Sequence, residues 1–386
     1  MPLTFLLPLL LLFIAYILYG LILGLINTIR GNSVDDNIDA EHQPEISIII
    51  PAYNEEDFIL EKIKNTLDLE YPESKRKIYV ITDGSTDNTP NLVKQHHPEN
   101  VMLYHEDTRK GKTAALNRII PYISTEISLF TDANTMLTPN TLKAMGQRFS
   151  DNTTGMVAGE KTVIASKDEQ SAQSEGAYWK YESWQKKNEA LLHSAMGTAG
   201  ELFAIRTKLF QDLPEDTLLD DFMLSMYILR QGYRIDYAPE AKAIEYGSVS
   251  IAEEMKRKIR IAAGGIQSII RSWDLLNPFQ YGWISICLFT HRFFRWTLAP
   301  ILLIALLLGS IDWMQYSNIG GIIFWVQFLF IGLSIALWKI DKLTVPRILH
   351  IPSYIYLMHI AVIAGWFRYF RGKQEVNWER AKRITN

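Results

Sequence analysis

The sequence predicts an α/β domain built on a Rossmann-like mixed sheet, with transmembrane and interfacial helices at both ends of the chain. Three observations carry this expectation. Short apolar β-forming runs alternate with helical segments from about Ile46 onward, the pattern of βαβ units. Each run breaks into polar residues at its carboxyl end, where open α/β sheets bind ligands. The chain also divides by composition, because about Asn32 to Asn277 is charged and mixed whereas both ends are apolar.

The 386 residues suffice for one large domain plus membrane segments. With a formal net charge of -3, nothing asks for a nucleic acid partner. A single cysteine, Cys287, excludes an internal disulfide framework and suits a reducing compartment.

Residues 1–30 read as an N-terminal transmembrane anchor. Pro2–Thr28 carries no charge over about 27 residues, long enough to span a bilayer with some tilt. It lacks a basic leading region and a small-residue cleavage site, so a signal peptide fits poorly. The first basic residue is Arg30, which puts the N-terminus outside and the next domain in the cytoplasm. Residues 31–44 (GNSVDDNIDAEHQP) are polar and acidic, a linker to a domain over 45–277.

That domain opens with Ile46–Ile50, a buried parallel strand stopped by Pro51. Asn54 is placed to cap a helix over Glu56–Leu69. Ile78–Thr82 is the second strand and completes a βαβ unit. It breaks at Asp83-Gly84, leaving Asp83 able to accept hydrogen bonds from a base or sugar. A plain turn with a helix cap at Ser85 or Asp87 is the alternative. Neither G-x-G-x-x-G nor G-x-x-x-x-G-K-[ST] is present, which disfavours a dinucleotide fold and a P-loop.

Val101–Tyr104 reads as a third strand. Arg109–Asn117 (RKGKTAALN) is a basic turn entering an alanine-rich helix. Basic side chains at such a helix start suit a diphosphate, because the dipole and the free N–H groups favour anions there; a solvated basic turn is the alternative. Ile127–Phe130 is a strand ending in Thr131-Asp132-Ala133-Asn134. If it continues, Asp132 and Asn134 point to one side and can hold Mg²⁺ or Mn²⁺ together with phosphate oxygens.

Met156–Ile164 reads as a strand and Gln173–Leu192 as a helix. The helix carries Tyr178, Trp179, Tyr181 and Trp184, for packing on the core or a membrane surface, or for contact with an acceptor. Gly197, Thr198 and Gly200 precede the strand Leu202–Arg206, where small residues either let a ligand approach the backbone closely or form a simple hairpin. Asp220 and Asp221 open a helix ending at Arg230. There they either cap the helix or supply a general base whose pKa the adjacent carboxylate raises. Arg257 and Arg260 lie in MKRKIRIAAGG, a cationic helical segment fit to neutralise a diphosphate or to meet anionic headgroups.

PAYNEE (Pro51–Glu56), TDGSTDNT (Thr82–Thr89), KGKTAALN, TDAN and LLDDFMLSMYILRQGYR, in this order, resemble an inverting, membrane-bound glycosyltransferase of family 2 with the GT-A fold, of the bacterial polysaccharide-synthase-like kind. The resemblance spans about Ile46 to Gly265. It implies a metal-dependent hexosyltransferase. Pro51, Tyr53, Glu55 and Asp83 would hold the nucleoside of a nucleoside-diphosphate sugar, UDP-linked, and Lys112, Asp132, Arg257 and Arg260 its diphosphate. Asp132 and Asn134 would hold Mg²⁺ or Mn²⁺, with Asn134 where the family has a second aspartate. Gly197, Thr198 and Gly200 would line the acceptor. Asp221 would be the base, beside Asp220 in the place of the family's glutamate.

Processive synthases of the family carry Q-x-x-R-W where this chain has Arg257, Arg260 and Ile261. The missing glutamine and tryptophan argue against long-chain synthesis, not against sugar transfer. The implied acceptor is a membrane-associated lipid or polysaccharide, for cell-envelope or exopolysaccharide biosynthesis. Two other readings stand beside this one. A polyprenyl phosphate acceptor is already ionised and needs no base. A non-catalytic membrane scaffold needs none of Asp83, Asp132 and Asp221.

Residues 278–296 include Gly282–Trp296, an amphipathic interfacial helix expected to turn His291, Arg292 and Arg295 toward headgroups. Within 297–368 follow the apolar stretches Thr297–Ile311, Ile319–Trp338 and about Ile351–Trp366. Lys339–Lys342 and the tail 369–386 are basic and belong in the cytoplasm, so one stretch is expected to be re-entrant or interfacial. The protein is expected to be multi-pass in the cell membrane.

Overall fold

The computed structural model describes residues 1–31, 38–96, 99–164, 170–246, 251–340, 343 and 345–372. Helix α1 (Leu3–Arg30), with a π-helical turn at Ile14–Leu18, leads into the α/β domain. The domain runs β1 (Ile46–Ala52), α2 (Ile59–Leu67), β2 (Arg76–Asp83), α3 (Thr89–His96), β3 (Val101–Glu106), α4 (Lys112–Ile119), β4 (Ile127–Thr131) and β5 (Met136–Leu137). It continues with α5 (Thr141–Gln147), β6 (Thr154–Ile164), α6 (Gln170–Leu192), β7 (Leu202–Arg206), α7 (Asp220–Arg230), β8 (Arg234–Tyr246) and α8 (Ile251–Arg271). Helices α9 (Trp283–Trp296), α10 (Leu298–Met314), α11 (Asn318–Lys339) and α12 (Arg347–Phe370) follow.

One eight-stranded sheet has the order β3-β2-β1-β4-β7-β6-β8-β5. β3, β2, β1 and β4 are parallel, and β7 runs antiparallel to β4 and β6. Ile48 and Ile50 pack on one face with Ile78, Val80 and Leu129, while Ile49 packs on the other with Tyr79, Ile81 and Phe130. Successive side chains of a strand point to opposite faces, so a run apolar at every position is one buried on both. The strand order reverses at β1, with β2 on one side and β4 on the other. Asp83 and Asp132 flank that switch point, where ligands of open α/β sheets bind.

Several sequence expectations need correction. β1 does not stop at Pro51: Pro51 and Ala52 stay in register with Ile81 and Thr82 of β2. Its ladder with β4 ends at Ile49–Phe130, so no β4 partner is left to receive the N–H that proline lacks. Asn54 does not cap a helix, and α2 starts at Ile59. Asn54 takes a left-handed φ of 54° and accepts from the Thr86 N–H at 2.8 Å, which ties the β1 exit to the loop after β2. Of the expected linker, residues 32–37 lie outside the described residues, and 38–44 dock on the domain. There Pro44 accepts from the Tyr71 hydroxyl at 2.5 Å and Ala40 from Gln147 at 2.5 Å.

Helices α1 and α11 and residues Ile348–Phe370 of α12 are long and apolar enough to cross a membrane. α9 and α10 pass the same test only together, bent by 57°, as a broken span or a re-entrant loop. The basic tail beyond residue 372 lies outside the described residues.

The cationic side of α9 faces inward, contrary to the headgroup expectation. His291 is fully buried, with Glu189 2.7 Å from Nδ1 and Glu182 3.1 Å from Nε2. Arg292 pairs with Glu182 at 2.7 Å, and Arg295 donates to Gln185 at 2.5 Å. The cause is α6, which buries two carboxylates that need paired cations. α1 docks on the same helix. Tyr19 donates to Glu189 at 2.6 Å, and a Cβ on Gly20 would come within 2.3 Å of the Trp184 ring. Trp184 of the aromatic stripe is therefore packing for a membrane helix.

Phe203 is fully buried and stacks on Phe130 with ring centroids 4.7 Å apart, at the centre of the sheet. Phe203→Ala is expected to destabilise by about 3–5 kcal/mol. A thermal midpoint in detergent equal to that of the unaltered protein would contradict this packing.

Candidate active site

Three loops meet at the carboxyl ends of β1, β2 and β4. Gly84 has φ 64°, and a Cβ there would lie 2.5 Å from the backbone nitrogen of Arg109. Glycine thus lets the Arg109–Gly111 turn close on the end of β2. Asp83 then fastens the turn. Its Oδ2 accepts from the Lys110 and Gly111 N–H groups at 2.8 and 2.6 Å, and Arg118 reaches Oδ1 at 3.4 Å. The Arg109 guanidinium stacks 3.6 Å from the centre of the Tyr53 ring. Glu55 is buried, its N–H donating to Thr89 at 2.8 Å. Pro51, Tyr53, Glu55 and Asp83 therefore gather beside the turn that leads to Lys112.

Gly111, with φ 92°, precedes α4 and places Lys112 at its first position. Lys112 Nζ lies 2.9 Å from Asp132 Oδ1 and 3.4 Å from Asp220 Oδ2. Burial opposes the charge on Lys112, but the Asp132 and Asp220 carboxylates outweigh it and hold the pKa above the ordinary lysine value. The balance is reversed at Asp221. Burial, and then the Asp220 charge, push its carboxyl up to about 7. Neither acid caps α7, whose N-cap is Leu219 without a side-chain cap bond. The capping alternative falls away, and both acids line a cavity.

β4 stops at Thr131 rather than continuing through Asp132 and Asn134. The chain turns there, with the Thr135 N–H on the Asp132 carbonyl at 3.3 Å. Strand pleating therefore does not bring Asn134 beside Asp132, and of the two only Asp132 lines the cavity. Lys62 enforces the turn from below, fully buried, donating to Thr131 Oγ1 at 2.9 Å and the Thr135 carbonyl at 2.6 Å. Burial lowers its pKa to about 7.

The donor set suits an ion of the Mg²⁺ type. Such ions take one or two carboxylates and complete their shell with substrate phosphates. Among the described residues, no three His, Cys, Asp or Glu side chains form an all-protein cage.

The cavity has a volume of about 1090 Å³ and joins Lys112, Asp132, Asp220, Asp221, Thr198, Gly200, Arg257 and Arg260. Gly197, outside that lining, has φ 99° and packs on Phe222. Its loop is pinned at Met196, whose N–H donates to Glu189 at 3.2 Å and whose carbonyl accepts from Arg292 at 2.7 Å. A Cβ on Gly200 would stand 3.5 Å from the Asp221 carboxylate. Thr198 is buried, and its hydroxyl has no hydrogen-bond partner among the described residues. Arg257 is shared by Glu201 at 3.7 Å and Glu245 at 3.6 Å.

Three features escaped the sequence reading. Lys161 is fully buried and paired with Glu201 and Glu245. A lysine inside an apolar strand was its one visible signal. Lys62 had none, because it sits on a helix whose other charges are solvated. Trp296 comes from α9, packs edge-on against Phe222 at 5.2 Å and lines the cavity. An indole thus borders Asp221's side of the site although residues 257–261 carry none. Trp179 and Tyr181 also line the cavity; the side chain of Tyr178 lies outside the described residues.

Gly84→Ala is expected to push the Arg109–Gly111 turn off β2. Trypsin should then cut faster after Arg109 and Lys110, with the rest of the domain still folded. Equal cleavage rates in the two proteins would show that the close approach at Gly84 does not hold the turn.

The sequence profile of Glycosyl transferase family 2 matches residues 47–213. Beta-monoglucosyldiacylglycerol synthase of Nostoc sp. is 27% identical over 250 residues, covering 62% of this chain and 53% of the relative. Poly-beta-1,6-N-acetyl-D-glucosamine synthase of Staphylococcus aureus is 24% identical over 242 residues, covering 61% and 58%. The match thus spans little more than half the length of these curated relatives. A mannosyltransferase from Pyrobaculum calidifontis, solved in complex with GDP-Man and Mn²⁺, shares the fold. It superposes with a TM-score of 0.73 at 22% identity, covering 96% of this chain and 100% of that one. The domain that starts at β1 thus carries the match to glycosyl transferase family 2 and has a GT-A fold, flanked by candidate transmembrane helices.

Proposed function

We propose that the protein is an inverting hexosyltransferase of the cell membrane, its GT-A domain on the cytoplasmic side to which Arg30 assigns it. It moves a sugar from a nucleoside-diphosphate sugar to a membrane-associated lipid or polysaccharide. The observation that carries this reading is the Asp220–Asp221 pair sharing a cavity with Lys112 and Asp132 at the switch point of the sheet. A UDP-linked donor is proposed. GDP-sugars are the comparison, since GDP-Man is bound in the structurally similar mannosyltransferase.

The donor's nucleoside lies against the Tyr53–Arg109 stack and the turn fastened by Asp83. Its diphosphate meets Lys112 at the start of α4, with Arg257 and Arg260 across the cavity. Asp132 would hold Mg²⁺ or Mn²⁺ there, with diphosphate oxygens completing the shell. When bound, such an ion neutralises charge on the leaving diphosphate. Asp221 takes the proton from the acceptor hydroxyl as its oxygen attacks the anomeric carbon opposite the leaving group, which inverts the configuration. Lys112 and the arginines stabilise the negative charge that builds on the diphosphate. Asp220 holds Lys112 and keeps Asp221 basic near neutrality. The Thr198 hydroxyl and the Gly200 backbone position the acceptor.

The test is nucleoside diphosphate release by purified protein with Mn²⁺ or Mg²⁺ and a panel of UDP- and GDP-sugars. Asp221→Asn should lower kcat by roughly 10²–10⁴-fold, the range for a lost general base. Asp132→Ala should abolish release. Release surviving Asp221→Asn would point to an ionised acceptor such as polyprenyl phosphate. No release from any donor by folded protein would overturn the enzyme reading in favour of the scaffold.

The pH dependence has a definite sign. A base must be deprotonated, so kcat/KM should rise as pH passes through about 7. Asp220→Asn removes a nearby negative charge, so the rise should move to lower pH. Stability follows the opposite course. The folded-state pKa of Asp221 lies above the ordinary 3.8, so the folded protein loses stability as pH climbs from there through about 7. Asp221→Asn should therefore raise the thermal midpoint at neutral pH while it removes activity. A lower midpoint would mean that the charge is not destabilising.

A further inference from the structure

The cavity that holds the carboxylates does not end at the domain. It continues between α1 and α12, lined there by Leu12, Phe13 and Ile17 on one side and Ile355, Met358 and Val362 on the other. Phe13, Ile17 and Ile355 are 43%, 49% and 50% exposed, so the mouth is open. Both helices are long and apolar enough to cross a membrane. What faces the mouth is then hydrocarbon rather than water. Deeper in, the lining becomes polar. Tyr16 Oη and His359 Nε2 stand 3.0 Å apart, and the Arg295 guanidinium lies 4.9 Å from the centre of the Tyr16 ring. The same cavity holds Asp220 and Asp221. Apolar walls open at the helices, a polar band and carboxylates in one cavity match the polarity of an amphiphile.

Three features narrow the occupant. The mouth offers aliphatic and phenyl walls without partners for sugar hydroxyls, so a polysaccharide passing there would lose its hydrogen bonds. The cations of the polar band are already matched: Arg292 and Arg295 share Glu182 at 2.7 and 3.5 Å. A phosphate headgroup would bring a further negative charge into this balanced network. A carboxylate placed as a base is of use to an acceptor that still carries its proton.

We propose, resting on the glycosyltransferase reading, that the acceptor is an uncharged membrane lipid with a free hydroxyl, which enters sideways from the bilayer between α1 and α12. Its chain lies against Phe13, Ile17 and Ile355, and its hydroxyl reaches Asp221. The lipid O–H bond breaks and its proton passes to Asp221. The bond from that oxygen to the anomeric carbon forms as the bond from the anomeric carbon to the diphosphate oxygen breaks. The nucleoside diphosphate leaves with that electron pair.

The test uses the full chain in lipid nanodiscs with the donor that supports release. Dioleoylglycerol, undecaprenyl phosphate and a soluble disaccharide are offered separately. Glycolipid and free sugar from hydrolysis are measured side by side. Dioleoylglycerol is expected to be the preferred acceptor. Ile17→Trp and Ile355→Trp, both at exposed positions, should cut the ratio of glycolipid to free sugar by roughly tenfold. A diazirine-bearing dioleoylglycerol should label α1 and α12 of the unaltered protein and be displaced by unlabelled lipid.

Preference for undecaprenyl phosphate or the disaccharide would overturn the proposal, as would an unchanged ratio in both variants. If no donor is turned over at all, the glycosyltransferase reading fails, and the labelling still decides the lipid site. Label confined to other helices would refute it.

Discussion

The ion triad of Lys112 with Asp132 and Asp220 is the contact on which the rest of the site depends. It joins three segments: the start of α4, the end of β4 and the start of α7. A lysine buried alone would give up its proton. Between the two carboxylates Lys112 keeps its own, and the site keeps its geometry. Such a cluster is not there for stability, since buried ion pairs seldom outweigh their desolvation, while removal of one partner typically costs about 3–5 kcal/mol. What it does provide is a fixed cation where the proposed donor's diphosphate would lie and a fixed negative charge beside Asp221. Asp221, outside the triad, absorbs the consequence: burial and Asp220 leave its carboxyl near neutrality.

A second charged cluster ties the membrane part to the site. Glu182 and Glu189 on α6 face His291 and Arg292 of α9, and Tyr19 of α1 donates to Glu189. Burial opposes the charge on Glu182, yet Arg292 and His291 hold its carboxyl well below the usual range. The same groups grip the Met196 backbone from both sides. Glu189 and Arg292 thus set the loop of Gly197, Thr198 and Gly200 and at the same time anchor α1 and α9. Candidate membrane helices thus shape that side of the cavity directly. That explains why α9 turns its cations inward: the carboxylates of α6 are nearer and drier than any headgroup.

Much of this was legible in order along the chain. Strand period and strand-end polarity located β1 to β4, and the breaks after them located Asp83, Lys112 and Asp132, because those features follow from local geometry. The errors were of one kind. Pro51, Asn54 and the turn at Asp132 were each read from intrinsic preference, and each was overruled by a neighbour: the missing β4 partner, the Thr86 amide, and Lys62. The orientation of His291, Arg292 and Arg295 failed for the same reason. An amphipathic pattern shows that a helix has two faces, not which one meets the protein.

The sequence by itself determined the fold class and the candidate membrane segments, because hydrophobic period, apolar length and turn residues act over a few neighbours. Only the tertiary structure decided which charges pair. Lys161 with Glu201 and Glu245, Lys62 beneath Thr131 and Thr135, and Trp296 beside Phe222 join residues far apart in the chain. It also decided that one cavity runs from Asp221 to the apolar walls of α1 and α12. Such contacts are set by how helices and sheet pack over long sequence distances, and no local pattern encodes that packing.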